Sequence, residues 1–266
     1  MRRRIDGGAW ALGAYVVLFV LFILAPIVSV VIVSFSTASF IVFPVPGYGV
    51  RWYRRIVEYR PFIDAMVVSA ELALSSAALA AFLGVPAALA LARGRGAGAA
   101  MLADLLLAPV SVPAIVLGFA LLYFLSGLGL GISFTSLLIA HTVAAIPYLV
   151  RTVLATYRAV PGELEEAASI LGASRWQVLW FTTLPLVRPG IFAGGLFAVL
   201  TSLDNLPLSF FFGGASTNTL PVVMLSYMEN QFDPSIAAVS TVQMLVALVV
   251  LLLLDRVYGI QKLTAA

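Results

Sequence analysis

The first long apolar segment of the chain, residues 10–34, reads WALGAYVVLFVLFILAPIVSVVIVS and contains no charged side chain. A helix that crosses a bilayer needs about 20 predominantly apolar residues, so this segment is long enough to do so. The alternative is a secretory signal peptide, whose apolar region would extend over only about 7–15 residues. The segment is longer than that and no clear cleavage site follows it, so we predict a transmembrane helix.

The composition of the whole chain supports this interpretation. Of its 266 residues, 62% are hydrophobic and 10% are charged, against about 45–50% and about 25% in soluble domains. No water-soluble domain of this size has a core large enough to bury so much apolar surface. The composition therefore predicts an integral membrane protein.

Several classes of enzyme are excluded by the residues that the chain lacks. There is no cysteine and only one histidine, His141, which excludes disulfides, thiolate catalysis and a multi-histidine metal site. The one lysine, Lys262, does not lie in a Walker A sequence, so any ATP chemistry belongs to another chain. We predict no catalytic residue and no metal ligand, and a net charge of +3 is too small to indicate nucleic acid binding.

Five further apolar stretches are long enough to cross a membrane, which predicts an all-α polytopic protein with one permease domain over residues 1–266. The six predicted spans are 10–34, 62–91, 101–126, 134–157, 189–212 and 236–258. Between the fourth and fifth spans lies the one long insertion that carries several charges, 158–188. We name this segment the insertion.

The distribution of basic residues predicts the orientation of the chain. With both termini on the cytoplasmic side, all but four of the 15 lysines and arginines lie inside, as the positive-inside rule requires. The four that lie outside are Arg51, Arg54, Arg55 and Arg60. Because aromatic residues stand among them, we interpret this segment as an amphipathic helix at the membrane interface.

The first half of the insertion is predicted to form a short helix. Pro161 is a favourable helix start, and acidic residues in the first turn complement the helix dipole. Gly172 suits a left-handed helix stop. Helical spacing places four residues in one apolar stripe: Leu164, Ala167, Ala168 and Leu171. A loop that merely caps the helix bundle is the alternative interpretation.

The second half of the insertion is predicted to form another helix. Ser174 and Gln177 have the spacing of a capping box, which opens the helix. Pro185 and Pro189 are expected to break it before the fifth span. The insertion as a whole is therefore predicted to be a small helix-turn-helix on the inner face of the membrane.

The insertion resembles the EAA motif of ABC importer permeases. That motif consists of EAA, three residues, a glycine, nine residues and then I-x-L-P. The spacing agrees throughout, and the one departure is Thr182 in place of the isoleucine. The matching residues are Glu166, Ala167, Ala168, Gly172, Leu184 and Pro185. The resemblance extends along the chain and is greatest to the second permease subunit of spermidine/putrescine-type importers.

The resemblance implies the fold and the partners of a type I ABC importer transmembrane domain in a bacterial inner membrane. A coupling helix, Glu163 to Arg175, would sit in a groove of a cytoplasmic ATPase dimer that holds ATP and Mg²⁺. A second, homologous permease subunit would complete the path, and a periplasmic binding protein would deliver the solute. The implied ATPase-coupling residues are Glu163, Glu166, Ala167, Ala168, Gly172, Ala173, Ser174, Arg175, Leu184 and Pro185.

Polar residues within the apolar spans are candidates for contact with solute, because a charged side chain at mid-bilayer costs about 2.5–3.5 kcal/mol on insertion scales. The alternative for each is a hydrogen bond that only holds helices together. A lipid-interface anchor is a further alternative for Trp52. The candidate path residues are Trp52, Glu71, Ser202, Asp204 and Asn205.

Two positions bear on the solute. Asn205 and Ala114 stand where the polyamine carriers usually have acidic residues. A polycationic solute needs carboxylates that replace water around its ammonium groups. Because this chain lacks both carboxylates, the expected solutes include other small amines and amino-acid-like compounds as well as polyamine-like ones.

Three other functions are alternatives to an importer permease for a polytopic membrane protein. A secondary carrier would show two matching halves with broken helices, which the sequence lacks. A membrane hydrolase would need a nucleophile motif such as G-x-S-x-G, which is absent. A scaffold subunit that never touches solute stays open.

Overall fold

The computed structural model describes residues 7–94, 96–214 and 217–258. Lys262 and the ends of the predicted domain, 1–6 and 259–266, lie outside these ranges. The described residues pack as two compact units, one from the described part of 1–60 with 226–253 and the other from the described parts of 61–225 and 254–258. This division leaves the prediction of one permease domain untested.

Within the described ranges the secondary structure is helical, apart from one isolated antiparallel bridge between Ser36 and Tyr48. The helices are α1 (Gly7–Ser34), α2 (Arg51–Glu58), α3 (Arg60–Arg93), α4 (Ala97–Ser111), α5 (Ala114–Gly127), α6 (Phe134–Arg158), α7 (Glu163–Ile170), α8 (Arg175–Val178), α9 (Leu184–Leu203), α10 (Leu206–Phe210), α11 (Leu220–Asn230) and α12 (Ser235–Tyr258). A π-helical turn, Leu179–Thr183, joins α8 to α9. The all-α prediction is confirmed.

In the part of the chain that the structure describes, five helices are long and apolar enough to cross a membrane, or six if the bent pair α4–α5 counts as one span. The axes of α4 and α5 are bent by 110° at residues 112–113. Val112 is extended, as expected before a proline, and Pro113 cannot donate the next helical hydrogen bond. The predicted third span, 101–126, is therefore broken at its middle.

The predicted fifth span, 189–212, is displaced in the structure. A continuous apolar helical segment extends over Arg175–Leu203, and neither Pro185 nor Pro189 interrupts it. In the π-helical turn the Leu184 amide donates to the Leu179 carbonyl, which shifts the bonding pattern just before Pro185. The segment ends where Asp204 and Asn205 leave helical geometry, so 206–212 are not part of it.

The core of the larger unit forms where α6 packs against α9. Gly194 lies so close to α6 that an added Cβ would be 3.0 Å from the Leu149 Cα. At Gly190 an added Cβ would be 2.3 Å from the Thr156 Oγ1. Glycines one turn apart thus allow two apolar helices to approach closely.

In the smaller unit, α2 is amphipathic as predicted. Trp52 and Ile56 are buried, whereas Arg51 and Arg54 are exposed. The Trp52 indole Nε1 donates to the Ser36 carbonyl at 2.8 Å. Since Trp52 is only 6% exposed, it is a packing residue of this unit and not an exposed lipid anchor.

Candidate coupling site

The helix α7 ends in a stop that the glycine makes possible. Gly172 has φ +87°, a conformation that side chains with a Cβ rarely adopt. Its amide donates to Ser169 at 3.0 Å, and the Ala173 amide donates to Ala168 at 3.1 Å. These two bonds form a Schellman motif.

The helix α8 begins with the predicted capping box. The Ser174 amide donates to the Gln177 Oε1 at 2.8 Å, and the Gln177 amide donates to the Ser174 Oγ at 3.4 Å. The predicted helix-turn-helix is therefore present. The coupling helix is shorter than the predicted Glu163 to Arg175, because the Gly172 stop ends it at Ile170. We name residues 163–178 the coupling hairpin.

The apolar side chains at the turn of the coupling hairpin are exposed within the described chain. Leu171 is 88% exposed, and Ile170, Trp176 and Leu164 are exposed as well. Exposed side chains also belong to the predicted coupling residues Glu163, Glu166, Ala167, Ser174 and Arg175, while Ala168 and Ala173 are half-buried. The predicted apolar stripe thus does not pack against the chain's own spans.

The residues at the far end of the motif lie at the start of α9. Leu184 directly follows the π-helical turn and is half-buried, and Pro185 is exposed. Pro185 has no amide to donate, and the π-helical turn before it shifts the hydrogen-bonding pattern so that the helix continues past this proline. The motif therefore extends from α7 to the helix that packs on α6.

One residue of the coupling hairpin is buried, and it is an acid. Glu165 is 5% exposed. Its Oε1 accepts hydrogen bonds from the Tyr157 hydroxyl, at 2.9 Å, and from the Thr183 hydroxyl. Its Oε2 forms an ion pair with the Arg93 guanidinium. None of these four residues can be identified from the sequence alone. Three acids in the first turn of α7 suit the helix dipole equally, and nothing in the pattern distinguishes Glu165 from the other two.

An open cavity of about 780 Å³ lies beside this cluster. Its lining combines the buried acid with apolar and basic side chains of the coupling hairpin and the neighbouring helices. The residues that carry the polar part are Arg93, Tyr157, Glu165, Glu166, Ser169, Arg175 and Thr183. The side of the coupling hairpin that faces this cavity thus carries charged and polar groups among apolar ones, whereas its turn is apolar.

The candidate path residues of the larger unit differ in exposure. Ser202 is buried, and its hydroxyl bonds the His141 Nδ1 at 2.8 Å, while the His141 Nε2 bonds the Ser209 hydroxyl at 3.0 Å. Glu71 is exposed on α3. Ser202 thus takes part in a bridge between α6, α9 and α10.

The other two candidates lie at the break after α9. Asp204 is exposed, and the Asn205 Oδ1 accepts the Leu208 amide at 3.2 Å as the cap of α10. Asn205 also lines a cavity of about 300 Å³ at the α4–α5 bend, together with Ala114. No charged side chain lines this cavity.

Comparison with known proteins gives one family. The profile of the family "Binding-protein-dependent transport system inner membrane component" matches residues 80–262. A putrescine transport system permease protein, PotI of Escherichia coli (strain K12), is 31% identical over 83% of this chain and 80% of its own length. A molybdenum transport system permease protein, ModB of Mycobacterium bovis, is 35% identical over 71% of this chain and 76% of its own length.

Solved structures show the same fold. A chain of a bacterial alginate ABC transporter, solved with a pentasaccharide-bound periplasmic protein, matches with a TM-score of 0.67. The match covers 93% of this chain and 94% of that chain at 18% identity. An amino acid ABC transporter chain matches with a TM-score of 0.60 at 20% identity, over 77% of this chain and 97% of that chain. The fold is that of a type I ABC importer transmembrane domain.

Proposed function

The chain belongs to the family of binding-protein-dependent transport system inner membrane components, and from this premise we propose that it forms the translocation path for a small solute. A periplasmic binding protein delivers the solute, and a separate cytoplasmic ATPase drives transport. ATP and Mg²⁺ are held by that ATPase, and this chain binds neither.

The observation that carries the proposal is the exposure of the coupling hairpin. Apolar side chains as exposed as Leu171 indicate a surface that another protein covers. The low-volume Ala167 and Gly172 beside it let a partner approach closely. A short helix with a fixed stop at its C-terminal end transmits a displacement better than a flexible loop does.

The remaining partners follow from the same proposal. Both termini and the coupling hairpin lie on the cytoplasmic side of the inner membrane, in accord with the distribution of arginines. The apolar window of α1 is only 6% buried, which leaves its surface for lipid and for a second, homologous permease subunit. We propose that this second subunit is a different chain.

The solute is a small amine or an amino-acid-like compound, of which polyamines are one case. The relatives are named for chemically different solutes, putrescine and molybdenum, so their names alone do not identify the solute of this chain. The cavity at the α4–α5 bend has no charged lining, which favours a solute with few charges over a polycation. The proposed path residues are Glu71, Ser202, Asp204 and Asn205, whereas the buried Trp52 packs within the smaller unit.

Crosslinking tests the contact with the ATPase. Because the chain has no cysteine, the Leu171→Cys variant carries a single thiol at the turn of the coupling hairpin. In membranes that contain the complete importer, a short thiol-to-amine crosslinker is expected to join this variant to the ATPase. The adduct is measured by immunoblotting for both chains.

The Leu128→Cys variant is the matched control, because Leu128 is also exposed but lies after α5, on the predicted outer side. It is expected to give no ATPase adduct. Equal adducts from both variants would contradict the proposal. Uptake of labelled putrescine that needs no ATP but collapses with the ion gradient would instead support a secondary carrier.

A further inference from the structure

The position of Glu165 calls for a physical explanation. On α7 it is the buried residue, whereas its acidic neighbours Glu163 and Glu166 are exposed. Moving a carboxylate out of water is unfavourable unless it is paired and hydrogen-bonded. On an ordinary surface helix, Glu165 would therefore be expected to face solvent, as Glu163 and Glu166 do.

Both oxygens of the Glu165 carboxylate are engaged. Tyr157 and Thr183 donate to Oε1, and Arg93 pairs with Oε2. Arg93 also donates from Nε to the Tyr157 hydroxyl at 2.5 Å, and its guanidinium lies 5.4 Å from the Tyr157 ring centroid. The four side chains thus form one connected network, which we name the Glu165 network.

The three partners of Glu165 belong to three different membrane helices. Arg93 is the last residue of α3, and Tyr157 is the last but one of α6. Thr183 ends the π-helical turn that leads into α9. One carboxylate therefore ties α7 to the adjacent ends of three helices, and the link to α3 joins residues 72 positions apart in the chain.

The backbone connections of α7 lead only to its two neighbours in the chain. On one side, Pro161 and Gly162 join α7 to α6, and on the other side Gly172 forms the turn to α8. Neither connection attaches α7 to α3, and no side-chain hydrogen bond caps the N-terminus of α7. A side-chain tie is then what fixes α7 relative to the helices behind it.

We propose that Glu165 is the positioning residue that transmits movement of the coupling helix to α3, α6 and α9. This inference rests on the proposed function, because the movement comes from the ATPase. The coupling hairpin touches the ATPase with its exposed turn and holds its own membrane helices with the buried carboxylate. Without the Glu165 network, a movement of α7 with the ATPase would not be transmitted to α3, α6 and α9.

Substitution of the tie separates transmission from assembly. Glu165→Gln keeps the size of the side chain and can still accept from Tyr157 and Thr183, but it loses the ion pair with Arg93. In the complete importer in proteoliposomes, the ATPase is expected to co-purify in the wild-type amount. The stimulation of ATP hydrolysis by the solute-loaded binding protein is expected to fall about tenfold.

The Arg93 variants complete the test. Arg93→Gln leaves a buried carboxylate without its cation, so it is expected to lose stimulation as well, and Arg93→Lys to restore part of it. Arg158→Gln is the matched control, because Arg158 is an exposed arginine at the end of α6 next to Tyr157. Its stimulation is expected to stay within about twofold of wild type.

A spectroscopic measurement covers a variant that fails to assemble. A spin label on a Leu171→Cys background, in the full-length permease in detergent, is expected to be more mobile when Glu165→Gln is added. Unchanged label mobility together with unchanged stimulation would overturn the inference. A wild-type complex that contains no ATPase would overturn the proposed function and this inference with it, whereas a working wild type with a fully coupled Glu165→Gln variant overturns the inference alone.

Discussion

Gly194 and Gly195 are neighbours on α9 but have different surroundings. A Cβ on Gly194 would press on the Leu149 backbone at 3.0 Å, whereas a Cβ on Gly195 would have no atom within 4 Å. Backbone atoms cannot turn aside as the end of a side chain can. Substitution at Gly194 therefore has to separate α9 from α6.

We predict that Gly194→Ala destabilises the protein by about 1–3 kcal/mol, the usual cost of overpacking a well-packed interface. The measurement is the midpoint of thermal unfolding in detergent. Gly195→Ala, the matched control, should be neutral or slightly stabilising, because alanine is the better helix former by about 0.5–1 kcal/mol. Equal midpoints for the two variants would refute the close approach of the two helices.

At this scale the sequence predicts some residues of the coupling hairpin and misses others. Gly172 and Ser174 were identified because a left-handed stop and a capping box have local signatures. Glu165 was not, because its partners Arg93 and Thr183 meet it only through tertiary packing. A single sequence carries no signal for contacts between residues that lie so far apart along the chain.

The coupling hairpin as an element depends on the turn between α7 and α8. Gly172 has φ +87°, whereas Gly162 at the other end of α7 has φ −62° and ψ −26°, a helical conformation that any residue adopts. Both glycines are exposed, and an added Cβ would meet no atom within 4 Å at either one. The two positions thus differ in backbone conformation and not in available space.

We predict that Gly172→Val disrupts the coupling hairpin, because a left-handed conformation costs a β-branched residue about 1–2 kcal/mol or more. Stimulation of the ATPase by the binding protein should fall about tenfold, while the amount of permease in the membrane stays unchanged. Gly162→Val should stay within about twofold of wild type in the same assay. If both variants behave alike, the left-handed turn has no part in coupling.

The fifth membrane helix shows where the prediction of elements fails. Pro185 and Pro189 were expected to break the helix, but the π-helical turn before Pro185 absorbs the change in hydrogen bonding, so the helix continues to Leu203. The helix ends at Asp204 and Asn205, although the sequence predicts that both lie within the span 189–212. Apolar content identifies the segment, while local hydrogen bonding decides its ends.

The topology of the whole molecule is open to direct measurement. The absence of native cysteine makes each introduced cysteine the only site for a thiol reagent. In intact cells, a membrane-impermeant maleimide is expected to label Leu128→Cys and to leave Leu171→Cys unlabelled. After permeabilisation the label on Leu171→Cys should rise about tenfold, because a closed bilayer excludes a charged reagent. Labelling of Leu171→Cys in intact cells would reverse the predicted orientation.

The sharp bend between α4 and α5 has a consequence for hydration. It lies halfway along the pair, and the carbonyls that end α4 have no amide of the next turn to bind. Each carbonyl left without a hydrogen bond in hydrocarbon would cost several kcal/mol. An irregular backbone at membrane depth must therefore either line a water-filled cavity or be covered by another protein. We therefore expect the backbone at this bend to contact water or another protein, and not lipid chains alone.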